Sequence, residues 1–270
     1  MDTYHVVHPS APRVPILLSV PHCGTAFPDE IKDEYNAQLI AAPDDTDWYV
    51  DKLYSFAPSL GITMISAALS RWVIDLNRHP ESKPLYNDGR IITGLCPVTN
   101  FLNHPLYRDH RLQVDAAEVQ RRTVLYFNPY HTKLAELLAD LKSEFRTVLL
   151  WDCHSIRQTV PTIRQENFPD LILGSADGTS AHPLLIGKAL DVLGNDDYML
   201  QHNHPFKGGY ITRHYGKPLD SVHALQLEMT KVNYMDDSET HYHPERAKKM
   251  GELLNNALSE LGETLSFIED

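Results

Sequence analysis

Two histidines in this chain stand where an apolar run stops. Residues 147–151 are threonine or apolar, and Asp152, Cys153, His154 and Ser155 follow with no spacer. Residues 14–20 are mostly apolar and lead into Pro21, His22, Cys23 and Gly24. In open α/β sheets, ligands bind just beyond the carboxyl ends of strands, so both positions suit chemistry as well as structure. A catalytic zinc ion takes three protein ligands and keeps one position for water. His22 and His154 are the best pair of histidines for that task. The third ligand should be an acid, but Thr25 stands three residues after His22, where a local glutamate would complete the set. The nearest acids with a reason to face the same rim are Asp45 and Asp47, at the start of an expected helix over 45–58. Asp45 suits a helix cap. Asp47, one turn in, can reach a metal or simply be an acid favoured by the helix dipole.

Other residue types fit around such a centre. Glu228 lies between Leu227 and Met229 in an apolar run over 223–229. A carboxylate in that setting is costly unless paired or functional, and burial raises its pKa toward the range useful for proton transfer. Arg71 and Arg78 bracket the apolar run 72–76, which ends in Asn77, Arg78, His79 and Pro80, and Arg213 lies near a glycine pair. Arginine binds carboxylates through two parallel hydrogen bonds. Several arginines at one rim point to a small anionic substrate.

The elements that must position these groups alternate in type. Expected strands lie at 14–20, 62–66, 72–76, 147–151, 171–174, 198–201 and 223–229, with residues 1–13 as an edge segment or loose arm. Expected helices lie at 29–36, 45–58, 115–145 with an interruption at Asn128-Pro129, 182–193, and 244–261 with proline in its first turn. Residues 80–109 show no period and read as a functional loop. Alternating strands and helices favour an α/β fold of three layers, α/β/α. Without repeats or linkers, residues 1–270 form one domain.

The bulk numbers narrow the functional classes. The chain has 270 residues, 42% hydrophobic and 22% charged, with a formal net charge of −12. That charge argues against nucleic acid or an anionic membrane as the partner. No apolar run is long enough to span a bilayer, and residues 1–13 do not read as a signal peptide. The three cysteines, Cys23, Cys96 and Cys153, fit a reducing, cytoplasmic setting. Cys23 and Cys153 each adjoin a candidate histidine, and neighbours on a strand diverge. Both are expected to be small buried residues, not ligands.

Taken in order, the segments PHCG, DTDWYVDKLY, SRWVIDLNRHPE, WDCHS, NHPFKGGYITRHYG and HALQLEM resemble the N-formylglutamate amidohydrolases, and DLNR and D-x-HS resemble the wider group of zinc carboxypeptidases and aspartoacylases. The resemblance implies a mixed, mostly parallel sheet between helices, as in zinc exopeptidases, with one catalytic zinc. It implies that His22 is the first metal histidine and His154 the last, with Asp47 standing in for the missing glutamate. Asn77 and Arg78 match the pair that grips a substrate carboxylate. Arg71 falls near the arginine that polarises the scissile carbonyl, with a spacing from DLNR shorter by one residue than in aspartoacylases. Glu228 matches the general base, and Arg213 belongs to the deformylase pattern, where it would hold a second carboxylate. The implied activity is zinc-dependent hydrolysis of N-formyl-L-glutamate to formate and L-glutamate, in histidine degradation. The rivals are an enzyme acting on another N-acyl amino acid or small peptide, and a metal-binding protein without turnover.

Overall fold

The computed structural model of the chain describes residues 2–81, 94–109, 114–195 and 197–268. Seven strands, β1 (Tyr4–Val7), β2 (Ile16–Val20), β3 (Thr63–Ala67), β4 (Val148–Ile156), β5 (Leu171–Gly174), β6 (Leu200–His202) and β7 (Val222–Thr230), form one sheet. Their order is β1-β3-β2-β4-β7-β5-β6. The pairs from β3 through β2 and β4 to β7 are parallel, as is β5 with β6, while β1 with β3 and β5 with β7 are antiparallel. The sheet is therefore mixed and mostly parallel.

The helices are α1 (Asp29–Lys32), α2 (Ala37–Ile40), α3 (Val50–Leu53), α4 (Ala116–Arg122), α5 (Asn128–Glu144), α6 (Pro183–Gly194), α7 (Tyr210–Tyr215) and α8 (Pro244–Leu265). They divide between the faces of the sheet. Ile16, Leu18, Leu149, Trp151, Leu225 and Leu227 pack with residues of α3, α6 and α8. Leu17, Ile65, Val148, Leu150 and Ala224 pack with Tyr130, Leu134, Leu138 and Leu141 of α5. Side chains alternate along a strand, so each central strand feeds both cores and the molecule has three layers.

On the α5 face the strands turn polar toward their carboxyl ends. Ser19 of β2 is in register with Asp152 of β4, Asp152 with Gln226 of β7, and His154 with Glu228. Here β4 departs from expectation. It does not stop at Trp151 but continues through Ile156, so Asp152 and His154 share one face while Cys153 joins the opposite core.

Two further expectations are corrected. Residues 72–76 form turns and irregular backbone, not a strand. Their apolar composition suited a strand, but β3 is already flanked by β1 and β2, so no edge is open beside it. The segment lies instead over the α5 face, and side chains satisfy its carbonyls. Tyr35 Oη donates to Trp72 O at 3.0 Å, Arg122 to Val73 O at 3.2 Å, and His131 Nε2 to Leu76 O at 2.9 Å. The helix expected over 45–58 is reduced to α3, preceded by turns and by Tyr49 at φ 63°. Asp45 caps no helix; its carboxylate accepts from Trp72 Nε1 at 2.8 Å and from Phe101 N at 3.1 Å. The break expected at Asn128-Pro129 is a π-helical turn over Thr123–Phe127, placed where the missing proline N–H removes a helical hydrogen bond. Of the loop expected over 80–109, residues 82–93 lie outside the described residues.

Candidate active site and metal centre

The turn after β2 delivers His22, and the backbone N–H of Asp47 donates to its carbonyl at 3.0 Å. β4 delivers His154 from the neighbouring strand. The two imidazoles lie 4.9 Å apart, centre to centre. Asp47 Oδ2 sits between them, 3.1 Å from His154 Nδ1 and 3.7 Å from His22 Nδ1. All three side chains are buried, and their potential ligand atoms lie within 4.8 Å of one another.

The outward nitrogens are held by carboxylates. His22 Nε2 is 2.8 Å from Asp75 Oδ1, and His154 Nε2 is 3.0 Å from Asp152 Oδ2. A carboxylate on one nitrogen fixes the tautomer and turns the other toward a metal, the arrangement usual for histidine ligands. His22 Nδ1 is buried and makes no hydrogen bond in the structure. An orphaned buried nitrogen facing a carboxylate and a second imidazole fits a cation and has no other evident use.

Electrostatics point the same way. Burial pushes His154 down, but Asp152 and Asp47 reverse this and hold its pKa well above the ordinary histidine range. Burial, with Arg71 nearby, lowers His22. Burial alone would raise Asp75, but the charges of Arg71 and His22 hold it well below the usual carboxylate range. The two carboxylates thus favour positive charge at His154, which a dication in the same cradle would supply.

Glu228 stands beside His154 on β7. Burial raises its pKa to about 8, and Gln226 Nε2 donates to its Oε2 at 3.3 Å. Gln226 Oε1 in turn accepts from Gly209 N at 2.8 Å, tying the start of α7 to this strand. A Cβ on Gly209 would come within 2.4 Å of the Asn77 amide, so only glycine lets α7 approach this closely.

Arg71 donates to Asp75 Oδ2 at 2.7 Å and lies against the ring of Phe101, 4.8 Å from its centre. Arg78 lies 3.7 Å from the same carboxylate oxygen. Asn77 is turned inward: its Oδ1 accepts from Ile211 N at 2.7 Å, and its Nδ2 donates to Asp152 at 3.1 Å. With both ends of the amide engaged in the protein, it orients the Asp152–His154 pair. Arg213 is exposed on α7, with Nε donating to Gly208 O at 2.9 Å. Cys23 Sγ faces the carbonyls of Val20 and Ala67. The structure thus brings His22, Asp47, His154, Glu228, Arg71, Asn77 and Arg78 together, with Arg213 on the adjoining helix.

Asp75 and Gln226 are site residues that the sequence reading did not assign. Asp75 carried a usable signal, since it is an acid inside the apolar run WVIDL, as Glu228 is inside LQLEM. Gln226 carried none beyond its place two residues before Glu228, which puts both on one face of a strand.

Comparison with known proteins places the chain in a family. The family model for N-formylglutamate amidohydrolase matches residues 14–235. The chain belongs to the N-formylglutamate amidohydrolase family. The N-formylglutamate deformylase of Pseudomonas aeruginosa is 43% identical over 226 residues, covering 83% of this chain and 84% of the relative. That of Pseudomonas putida is 40% identical over 228 residues, covering 84% of each. Among solved structures, the N-formylglutamate amidohydrolase of Ralstonia eutropha JMP134 superposes with a TM-score of 0.81 at 26% identity, covering 98% of this chain and 99% of the other. The matched range, residues 14–235, spans His22, Asp47, His154 and Glu228.

Proposed function

We propose that this amidohydrolase hydrolyses N-formyl-L-glutamate to formate and L-glutamate, with zinc held by His22, Asp47 and His154, as a step in cytoplasmic histidine degradation. The observation that carries the reading is the pair of imidazoles whose Nδ1 atoms converge on Asp47, beside a buried glutamate, in a chain of this family. Zinc in such a site supplies Lewis acidity, polarising a carbonyl and making water acidic near neutral pH.

The protein's own groups divide the remaining work. Glu228 takes a proton from water as the water oxygen bonds to the formyl carbon, then gives it to the amide nitrogen as the C–N bond breaks. Arg71 is charged and fixed by Asp75, so it can stabilise negative charge developing on the carbonyl oxygen without reorganising. Arg78 and Arg213 hold the two substrate carboxylates, so the ligand is a small dianion. Asn77 contributes by orienting Asp152 and His154.

The test is formate release from a panel of N-acyl amino acids, with and without a chelator. N-formyl-L-glutamate should be the preferred substrate, and chelation should abolish turnover until zinc is restored. Undiminished activity after complete metal removal would overturn the zinc reading. A clear preference for another N-acyl amino acid would overturn the substrate.

A further inference from the structure

Phe101 has no part in the catalytic scheme above, yet it is held against it from three sides. Its half-buried ring lies against the Arg71 guanidinium, 4.8 Å from ring centre to Cζ. Its backbone N–H donates to both carboxylate oxygens of the buried Asp45, each at 3.1 Å. Its carbonyl accepts from Thr162 Oγ1. The same Asp45 carboxylate accepts from Trp72 Nε1 at 2.8 Å, and Trp72 is the residue after Arg71. One buried acid therefore ties together the chain on both sides of the Arg71–Phe101 contact.

The ring also belongs to a small apolar wall. It packs on the cluster of Ile156, Val160, Phe168 and Ile172. Ile172 is in register with Glu228 across β5 and β7, and Ile156 lies two residues beyond His154 on the same face of β4. The wall thus runs from the proton-transferring carboxylate to the arginine that faces the carbonyl oxygen. A formyl carbon attacked between those two groups carries only hydrogen as its remaining substituent, and an acetyl group would place a methyl there.

We propose that Phe101, fixed by Asp45, sets the acyl size this enzyme accepts by closing the space beside the carbonyl carbon to anything larger than hydrogen. Phe101 is the specificity-determining residue and Asp45 its positioning residue. The proposal rests on the deformylase reading and deepens it. Discrimination by one methylene-sized group in an apolar pocket is typically about 10–200-fold, and this is the scale of change expected.

The experiment measures kcat/KM for N-formyl-L-glutamate and N-acetyl-L-glutamate in the zinc-loaded wild type, Phe101→Leu, Phe101→Ala and Asp45→Asn. The acetyl-to-formyl ratio should rise by about 10–200-fold in Phe101→Ala and less in Phe101→Leu. In Asp45→Asn it should rise in the same direction with zinc content unchanged, which a merely structural carboxylate would not produce. If Phe101→Ala is too damaged to assay, Phe101→Leu decides by the same ratio. An unchanged ratio in the Phe101 variants that still hydrolyse N-formyl-L-glutamate would overturn the proposal. Failure of the wild type on that substrate would instead overturn the parent reading.

Discussion

Glu228 and Asp75 are both buried acids beside a histidine, but their surroundings set them opposite tasks. Asp75 faces Arg71 and His22 and stays ionised, so it can orient a ligand but not move a proton. At Glu228 burial outweighs the opposing charges of His154 and Arg71 and raises the pKa to about 8, which suits it to taking and returning a proton. Glu228→Gln should keep its zinc and its thermal midpoint while kcat falls by about 10²–10⁴-fold; near-normal kcat would remove it as the base. Asp75→Asn should leave all three ligands in place but weaken zinc binding by about 10–100-fold, the usual effect of removing a carboxylate behind a ligating histidine. Competition with a chromogenic chelator measures that affinity directly. Asp45→Asn in the same assay should bind zinc as the wild type does, because Asp45 faces Trp72 and Phe101 and not the imidazoles. Loss of zinc from Asp45→Asn with retention in Asp47→Ala would reverse the assignment of the third ligand.

At the scale of elements, the site is built from an irregular segment clamped over regular strands. Residues 71–78 supply Arg71, Asp75, Asn77 and Arg78, and their backbone is held by Tyr35, Arg122 and His131. His131 bonds a carbonyl through Nε2, stacks on Phe127 with ring centres 4.0 Å apart, and has its pKa lowered by burial to about 4. Its folded-state value lies below its unfolded value of about 6.5, so the unfolded chain takes up this proton first as pH falls. Stability tied to His131 is full above about pH 6.5 and declines through the interval down to about pH 4, by about 3 kcal/mol at most. His131→Gln keeps a neutral donor near Leu76 and should lose less stability between pH 7 and pH 4.5 than the wild type, by urea unfolding. An equal loss in both proteins would show that another group carries the pH dependence. Periodicity resolved the regular elements well: β5 is found at the expected residues, and β2, β3, β7, α6 and α8 differ from expectation only at their ends. It failed for 72–76 and 45–58, where local composition suits a strand or helix but neighbours decide. The occupied flanks of β3 exclude a further strand there, and Tyr49 at positive φ, with Asp45 drawn to Trp72, breaks the helix. The end of β4 is not legible in the sequence, because a switch from apolar to polar residues looks like a turn. Here it marks the point where a buried strand begins to line a site.

On the scale of the whole molecule, the three proposed ligands come from parts of the chain far apart in sequence, at 22, 47 and 154, and meet only when the sheet is formed. The unfolded chain has no such cradle, so the proposed zinc would bind the folded state almost alone, and its binding free energy would add to stability. Formation of the site also concentrates buried acids, Asp45, Asp47, Asp75, Asp152 and Glu228, around the partly buried Arg71 and Arg78 and the buried Lys231. A dication at the centre would relieve that excess of negative charge. At free zinc about 100-fold above Kd, the stabilisation is about 2.7 kcal/mol. For a domain of this size that corresponds to a rise in Tm of about 5–10 °C. Scanning calorimetry of the chelator-treated protein, before and after zinc is restored, measures it. The rise should be absent from the His22→Ala, His154→Ala double variant, which lacks both imidazoles but keeps Glu228 and the acids. A rise of similar size in that variant would place the stabilising ion elsewhere on the molecule. No rise in the wild type, with turnover unaffected by chelation, would mean that the cradle does not hold a metal.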